Sequence, residues 1–100
     1  MSNYYILDDD HNLIATDDVV AWGQWFGANE NRFVAKTQVG DATLSTVCIG
    51  IDHNFYHRGP PLLFETMVFG GEHDEECWRC STWDEAVAQH ERVVAELEGV

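Results

Sequence analysis

The amino-acid sequence centres on Leu62-Leu63-Phe64-Glu65-Thr66-Met67-Val68-Phe69, which Pro60-Pro61 precedes and Gly70-Gly71 follows. In an extended conformation Leu62, Phe64 and Val68 share one face, and Leu63, Met67 and Phe69 share the other. A strand that is apolar on both faces is typical of the middle of a sheet that is covered on both sides. The flanking prolines and glycines favour turns and set its ends. The stretch therefore predicts a central, doubly covered strand with one internal charge, Glu65.

A first helix is predicted over residues 17–27. Val19, Trp22 and Phe26 recur at intervals of three and four residues, with Trp25 alongside, and Thr16-Asp17-Asp18 offers the N-cap. Gly27 and Asn29 are expected to end this helix.

A second helix is predicted over residues 82–98. Thr82-Trp83-Asp84-Glu85 has the pattern of a capping box, in which the threonine and glutamate side chains each bond the other residue's backbone. An apolar stripe follows, and its members are Trp83, Val87, His90, Val94 and Leu97. His90 is thus predicted to lie in the buried face of the helix.

Shorter apolar runs predict the remaining strands. They cover residues 4–7, 32–39 and 42–51, with additional short strands at 13–15 and 77–80. Gly40-Asp41 is expected to join two of them as a hairpin. The pattern predicts an α+β fold, in which an antiparallel sheet of about four to five strands packs with two helices in a single domain, 1–100.

The formal net charge of −13 limits the classes of partner. Phosphate backbones and anionic membranes are repelled, so we expect no nucleic-acid and no membrane binding. A partner protein with a basic surface fits the charge, and the charge also favours solubility. The sequence holds three cysteines and begins without the pattern of a signal peptide, which favours the cytoplasm. The sequence is also compatible with a homodimer.

The candidate site residues are polar groups in or beside the expected core. The long loop 52–61 supplies His53, Tyr56, His57 and Arg58, and functional loops are commonly this rich in such side chains. Buried Glu65 needs a partner, for which Arg58, Arg79, His53 and His90 are available. We hypothesise one ligand-binding pocket formed by Glu65, His90 and the loop, in which a histidine and a carboxylate could transfer protons. The alternative is a paired core glutamate and a core histidine.

Two patterns in the sequence are similar to metal sites, and we predict a metal at neither. Cys77-x-x-Cys80 has zinc-ligand spacing and His53-x-x-x-His57 could complete a set, but the pairs come in the reverse of the common order. Asp8-Asp9-Asp10 suggests calcium, yet the glycine and final glutamate of an EF-hand loop are missing. We expect no cofactor and a solvated turn at the aspartates.

The chain resembles a group of small, uncharacterised acidic proteins encoded by bacteriophages and prophages. The resemblance is carried by Tyr4-Tyr5-Ile6-Leu7-Asp8, Trp22, Trp25-Phe26, Val39-Gly40-Asp41, Ser45-Thr46-Val47, Asp52-His53, Gly59 to Gly71, which includes Phe64-Glu65-Thr66-Met67-Val68-Phe69-Gly70-Gly71, and Ser81-Thr82-Trp83. An aromatic residue is usual in that group where this chain has Cys80, which counts against zinc. The resemblance implies a phage origin and action in the bacterial host cytoplasm.

We expect such a protein to bind a host component, such as a defence factor, and to block or occupy it without catalysis. The alternatives are a pocket that sequesters a small signalling molecule and a small enzyme that uses Glu65 and a histidine as acid and base.

Overall fold

Residues 3–28, 30–56 and 58–99 are described by a computed structural model. The elements in chain order are β1 (Tyr4–Leu7), β2 (Leu13–Thr16), α1 (Val19–Ala28), a single 3-10 turn (Glu30–Arg32), β3 (Phe33–Val39), β4 (Ala42–Cys48), β5 (Phe64–Phe69), β6 (Cys77–Cys80) and α2 (Trp83–Leu97). Antiparallel strands with two helices confirm the α+β class. Within these residues neither helix has the length and apolar character needed to cross a membrane.

The strands form two sheets, whereas the sequence predicted one. β3, β4, β5 and β6 are hydrogen-bonded in that order, and β1 and β2 form a separate hairpin. The predicted strand 42–51 ends at Cys48 because Gly50 adopts a φ of +68°, outside the extended region. Beyond that break, the chain meets the hairpin through a bridge between Tyr4 and Ile51 and a hydrogen bond from Tyr5 N to Gly50 O of 2.8 Å.

β5 is central, as predicted, but only one of its faces is covered. It pairs with β4 on one side and β6 on the other. Phe64, Thr66 and Val68 are fully buried on the face that α2 covers. The opposite face carries Phe69, which is 51% exposed. The expectation of two covered faces is wrong because α2 is the helix that packs on the sheet, while α1 packs against β1.

We call the uncovered side of the four-stranded sheet the open face. Strand register assigns its members, since paired residues point to the same side. They include Phe33 and Lys36 of β3, Val47 of β4, Glu65, Met67 and Phe69 of β5, and Arg79 of β6. Phe33 is 54% exposed, so this face holds two large aromatic side chains in contact with solvent.

The predicted capping box of α2 is present. Thr82 Oγ1 accepts a hydrogen bond from Glu85 N, and the Glu85 carboxylate accepts one from Thr82 N, both at 3.1 Å. α1 begins at Val19, and the carboxylate of the preceding residue, Asp18, accepts a hydrogen bond from Ala21 N. The helix continues one residue past Gly27 and ends at Ala28. The predicted end at Asn29 lies outside the described residues.

Candidate functional site

A buried chain of hydrogen bonds crosses the interface between α2 and the sheet, and His90 lies within it. His90 Nε2 is 2.9 Å from Thr37 Oγ1, and Nδ1 is 2.8 Å from Thr46 Oγ1. Thr46 Oγ1 is 2.7 Å from Thr66 Oγ1, which also accepts a bond of 2.9 Å from the Gln89 amide. Since unpaired polar groups are costly in a core, these bonds allow four polar side chains to be buried here.

A neutral imidazole satisfies the whole chain of bonds in either tautomer. With the proton on Nε2, the Thr66 hydroxyl donates to Thr46, the Thr46 hydroxyl donates to His90 Nδ1, and Nε2–H donates to Thr37. With the proton on Nδ1, Nδ1–H donates to Thr46, the Thr46 hydroxyl donates to Thr66, and the Thr37 hydroxyl donates to Nε2. Burial lowers the pKa of His90 against the smaller opposing effect of Glu91, which agrees with the neutral state. His90 is therefore a satisfied core histidine, the alternative that the sequence left open.

Glu65 lies on the other side of the sheet from His90. Its neighbour Thr66 points towards α2, and adjacent residues in a strand point to opposite faces, so Glu65 belongs to the open face. Its carboxylate pairs with Arg79 Nε at 3.2 Å, one of the partners considered from the sequence. The proposed pocket shared by Glu65 and His90 is wrong, and so is proton transfer between them, because the sheet separates the two groups.

The cysteine pair lacks the geometry of a chelate. Cys77 is paired with Met67 and Cys80 with Phe64, which places the two thiols on opposite faces of β6. Burial raises the pKa of the Cys80 thiol to about 11, so this thiol is protonated near neutral pH. Among the described residues no three histidine, cysteine or acidic side chains gather at a metal-binding distance.

The aspartate turn is closed by its own hydrogen bonds. Asp8 Oδ1 accepts bonds of 2.9 Å from both Asp10 N and Asn12 N, and Oδ2 accepts one from the Asn12 side chain. These bonds, chiefly that from the Asn12 backbone, lower the pKa of Asp8. The carboxylate of Asp8 thus stabilises the turn that the sequence predicted at these aspartates.

The loop that follows Ile51 is braced at its base by two side chains. Asp52 Oδ1 accepts hydrogen bonds from Asn54 N at 2.8 Å and from Leu62 N at 3.0 Å, which ties together the two ends of the loop. The Asn54 amide donates to Arg58 O at 2.5 Å and to Pro60 O at 3.0 Å. These bonds hold the two ends of the loop together, and Asp52 N also donates to Asn3 O at 2.9 Å, which ties the loop to the segment before β1.

Between these braces the loop presents two aromatic side chains to solvent. Phe55 is 72% exposed and Tyr56 is 87% exposed. His53 supports the first of them, because its ring lies 5.5 Å from that of Phe55 while Nδ1–H donates to Ile51 O at 2.8 Å. Exposed Arg58 lies on the same loop. We call Phe55, Tyr56 and Arg58 the aromatic tip.

Five of the six candidate residues lie in three separate places. His53, Tyr56 and Arg58 share the braced loop, Glu65 lies on the open face, and His90 lies beneath α2. His57 lies outside the described residues.

Sequence reasoning missed Phe55 as a site residue, although its position in a polar loop was a usable signal. It also missed Gln89, a polar residue on the buried face of α2, and the open face, which is defined by strand register.

A cleft of about 480 Å³ lies between the β1–β2 turn and the start of α2. Its lining includes Asp10, Asp84 and the rings of His11 and Trp83, which stack in parallel at 3.6 Å. No sequence pattern pointed to this cleft.

Comparison with protein-family models, curated proteins and solved structures gives no match to this chain.

Proposed function

We propose that this protein acts by binding another protein, without catalysis, and that the aromatic tip makes the principal contact. The observation that carries the proposal is the exposure of Phe55 and Tyr56, 72% and 87%, on a loop whose ends are tied together by hydrogen bonds of Asp52 and Asn54. Adjacent exposed aromatic side chains are enriched at protein interfaces, and tyrosine and arginine are among the residues most enriched at binding hot spots.

The bracing of the loop favours tight binding. A mobile loop loses conformational entropy when it is ordered by a partner, whereas hydrogen bonds of Asp52 and Asn54 restrict this loop before the encounter. Tyrosine and phenylalanine each have two side-chain torsions, so they add contact area at little further entropic cost. These features support a pre-formed contact element.

The partner we propose is a host protein with a basic surface around an apolar depression. The net charge of −13 attracts a cationic surface and accelerates the encounter, and the aromatic tip would occupy the depression. The resemblance to phage-encoded proteins supports a bacterial host component, such as a defence factor, as the molecule that is blocked. We place this interaction in the host cytoplasm.

Capture from bacterial host lysate tests the proposal. The wild-type chain is expected to retain a partner that the Phe55→Ser/Tyr56→Ser variant does not retain. Val20→Ser is the matched control, because Val20 is an apolar side chain that is 69% exposed on another element, α1. Retention should fall steeply as salt is raised, since charges attract the partner. Equal capture by the loop variant and the wild type would refute the role of the tip.

A small-molecule function has one observation in its favour, the cleft beside His11 and Trp83. Its carboxylates, Asp10 and Asp84, suit a cationic ligand with an aromatic ring that extends the stack. A ligand bound there would raise the melting temperature of the wild type but not that of Trp83→Leu. A screen of cationic aromatic compounds without such a shift would exclude this alternative.

A further inference from the structure

We propose that the outer edge of β3 binds an extended segment of a partner protein, and that this segment carries acidic residues at alternate positions. The segment would add a fifth strand to the four-stranded sheet. This edge shares no residue with the aromatic tip, so the two proposals fail separately.

The outer edge of β3 has backbone groups that are free to pair. β3 is an outer strand of the sheet, and its seven residues make it longer than the other outer strand, β6, which has four. The two-residue turn Gly40-Asp41 makes Val39 and Ala42 a hydrogen-bonded pair, and such pairs alternate along an antiparallel ladder. The backbone groups of Lys36 and Gln38 therefore point away from β4. In the part of the chain that the structure describes, no backbone group of another element bonds to them, so an added strand can do so.

The charges on this strand favour an acidic segment. Arg32 and Lys36 are two of the five cationic residues of the chain, and no acidic residue lies between positions 31 and 40. Among the described residues neither cation forms an ion pair. Arg32 instead donates to Phe26 O at 3.1 Å and to Cys48 O at 3.4 Å, and its guanidinium lies 4.5 Å from the centre of the Phe33 ring. Both cations thus keep their charge without a carboxylate beside them.

The net charge of the whole chain is negative, but it does not set the local preference. Glu30 and Asp41, the acidic residues nearest in sequence, lie beyond the two ends of the strand, while exposed Lys36 lies near its middle. At physiological ionic strength, charges more than about 8 Å apart in solvent are largely screened. The side chains that pair with β3 are therefore selected mainly by the cations on β3 itself.

Strand geometry sets the pattern of the partner segment. Lys36 points to the open face, and residues of an added strand that lie beside it point to the same side. Acidic side chains on that side would lie close to Lys36, with Arg32 further along the strand. The other side of the added strand faces α2, where Glu91 follows His90, the residue that bonds to Thr37 of β3. Uncharged residues that favour strands, such as valine and threonine, fit there.

A second copy of this chain does not suit the same edge. Two copies of β3 would bring Lys36 and Arg32 of one chain towards the same cations of the other, with no acidic residue on either strand. A register shift between Phe33 and Ala35 also interrupts the ladder near one end. Lysines and such bulges on outer strands are features that oppose the pairing of identical edges.

The test uses the full chain and two synthetic nine-residue peptides of identical composition. In the first, four glutamates alternate with valines and threonines, so that all four glutamates point to one side of a strand. In the second, the same residues are permuted so that two glutamates point to each side. Fluorescence anisotropy is expected to show about tenfold tighter binding of the alternating peptide, since only that peptide keeps its glutamates away from Glu91. Equal affinity for the two peptides would overturn the proposal.

A pair of variants with the same change in net charge locates the contact. Lys36→Glu is expected to weaken binding of the alternating peptide about fivefold, because an attraction becomes a repulsion. Arg92→Glu is the matched control, since Arg92 is exposed on α2, and its affinity should stay within about twofold of the wild type. Equal losses in the two variants would mean that only net charge matters, and would overturn the proposal.

Amide hydrogen exchange of the wild type tests the pairing itself and needs no variant to fold. Saturating alternating peptide is expected to slow exchange of the Lys36 and Gln38 amides about tenfold, while the amides of Thr37 and Val39, which already bond to β4, should change much less. Unchanged exchange at Lys36 and Gln38 would overturn the proposal. Slow exchange at both without peptide, in a chain that sediments as a dimer, would assign the edge to a second copy and overturn it as well.

Discussion

Replacing Gly50 by alanine should disconnect the N-terminal hairpin and α1 from the sheet. Gly50 O accepts hydrogen bonds from Tyr5 N at 2.8 Å and from Trp22 Nε1 at 3.0 Å, so three parts of the chain meet at this residue. A Cβ added there would lie 2.7 Å from Trp22 Nε1, 2.8 Å from Trp25 Cζ3 and 2.8 Å from Tyr5 O. Two of these contacts are with packed indole rings and one is with backbone, so none can move without disturbing the core.

Two costs add in this variant. The φ of +68° places a side chain in the left-handed region, at roughly 1–2 kcal/mol for a residue other than glycine. Overpacking a filled site costs roughly a further 1–3 kcal/mol. The sum, about 2–5 kcal/mol, is a large share of the roughly 5–15 kcal/mol by which natural domains are stable. For a domain of this size each kcal/mol lowers Tm by roughly 4–8 °C.

Urea unfolding followed by tryptophan fluorescence measures the effect, with Gly40→Ala as the matched control. Gly40 has a φ of +57°, and a Cβ there would meet nothing within 4 Å, so this variant carries the backbone cost alone. The difference in unfolding free energy between the two variants therefore isolates the packing cost, which we expect to be at least about 1 kcal/mol. If Gly50→Ala unfolds no more easily than Gly40→Ala, the junction at Gly50 is not packed as described.

Three further predictions concern the helices. Gly23→Ala in α1 should raise the free energy of unfolding by about 0.5–1 kcal/mol in urea titrations, because a Cβ there meets nothing within 4 Å and glycine is a poor residue for a helix interior; a loss of stability would contradict this. The contribution of neutral His90 to the free energy of unfolding should be fully present above about pH 6.5 and lost as pH falls towards the lowered pKa of His90 in the folded state. The reason is that the histidine of the unfolded chain binds a proton at a higher pH than the buried histidine does. His90→Gln should flatten stability in that window, and an unchanged pH profile would exclude His90 as the cause. Thr82→Ala should lower the free energy of unfolding by about 1 kcal/mol, because it removes the hydroxyl that accepts a hydrogen bond from Glu85 N. Thr82→Ser, which keeps the hydroxyl, should retain most of the wild-type stability in thermal melts.

Local sequence patterns predicted the helix and strand ends well where those ends are set by residues with a well-defined local role, such as capping or turn formation. The double proline and double glycine framed β5, and Thr82 with Glu85 marked the start of α2, because capping depends on residues three apart. The cover of β5 could not be predicted in this way. An apolar pattern shows that a face prefers to be covered, and it does not show whether the same chain supplies the cover.

The candidate site was harder to predict because it depends on contacts between distant segments. The sequence placed His90 in a buried stripe, and the structure confirms its burial, but its partners Thr37 and Thr46 are fixed only by strand register. Glu65 was expected to need a cation and has Arg79, yet the face on which they meet follows from the same register. The bracing of the loop by Asp52 is the part that local chemistry could have revealed, since aspartate commonly accepts bonds from nearby backbone amides.

Isothermal titration of the captured host protein into the purified chain is the decisive measurement for binding through the aromatic tip. The dissociation constant for Phe55→Ser/Tyr56→Ser should be about a hundredfold larger than for the wild type, as expected when two hot-spot side chains are removed. Val20→Ser should match the wild type. Dissociation constants for the loop variant and the wild type that agree within about twofold would contradict the proposed contact, because an exposed hot spot cannot be lost without a measurable change in affinity.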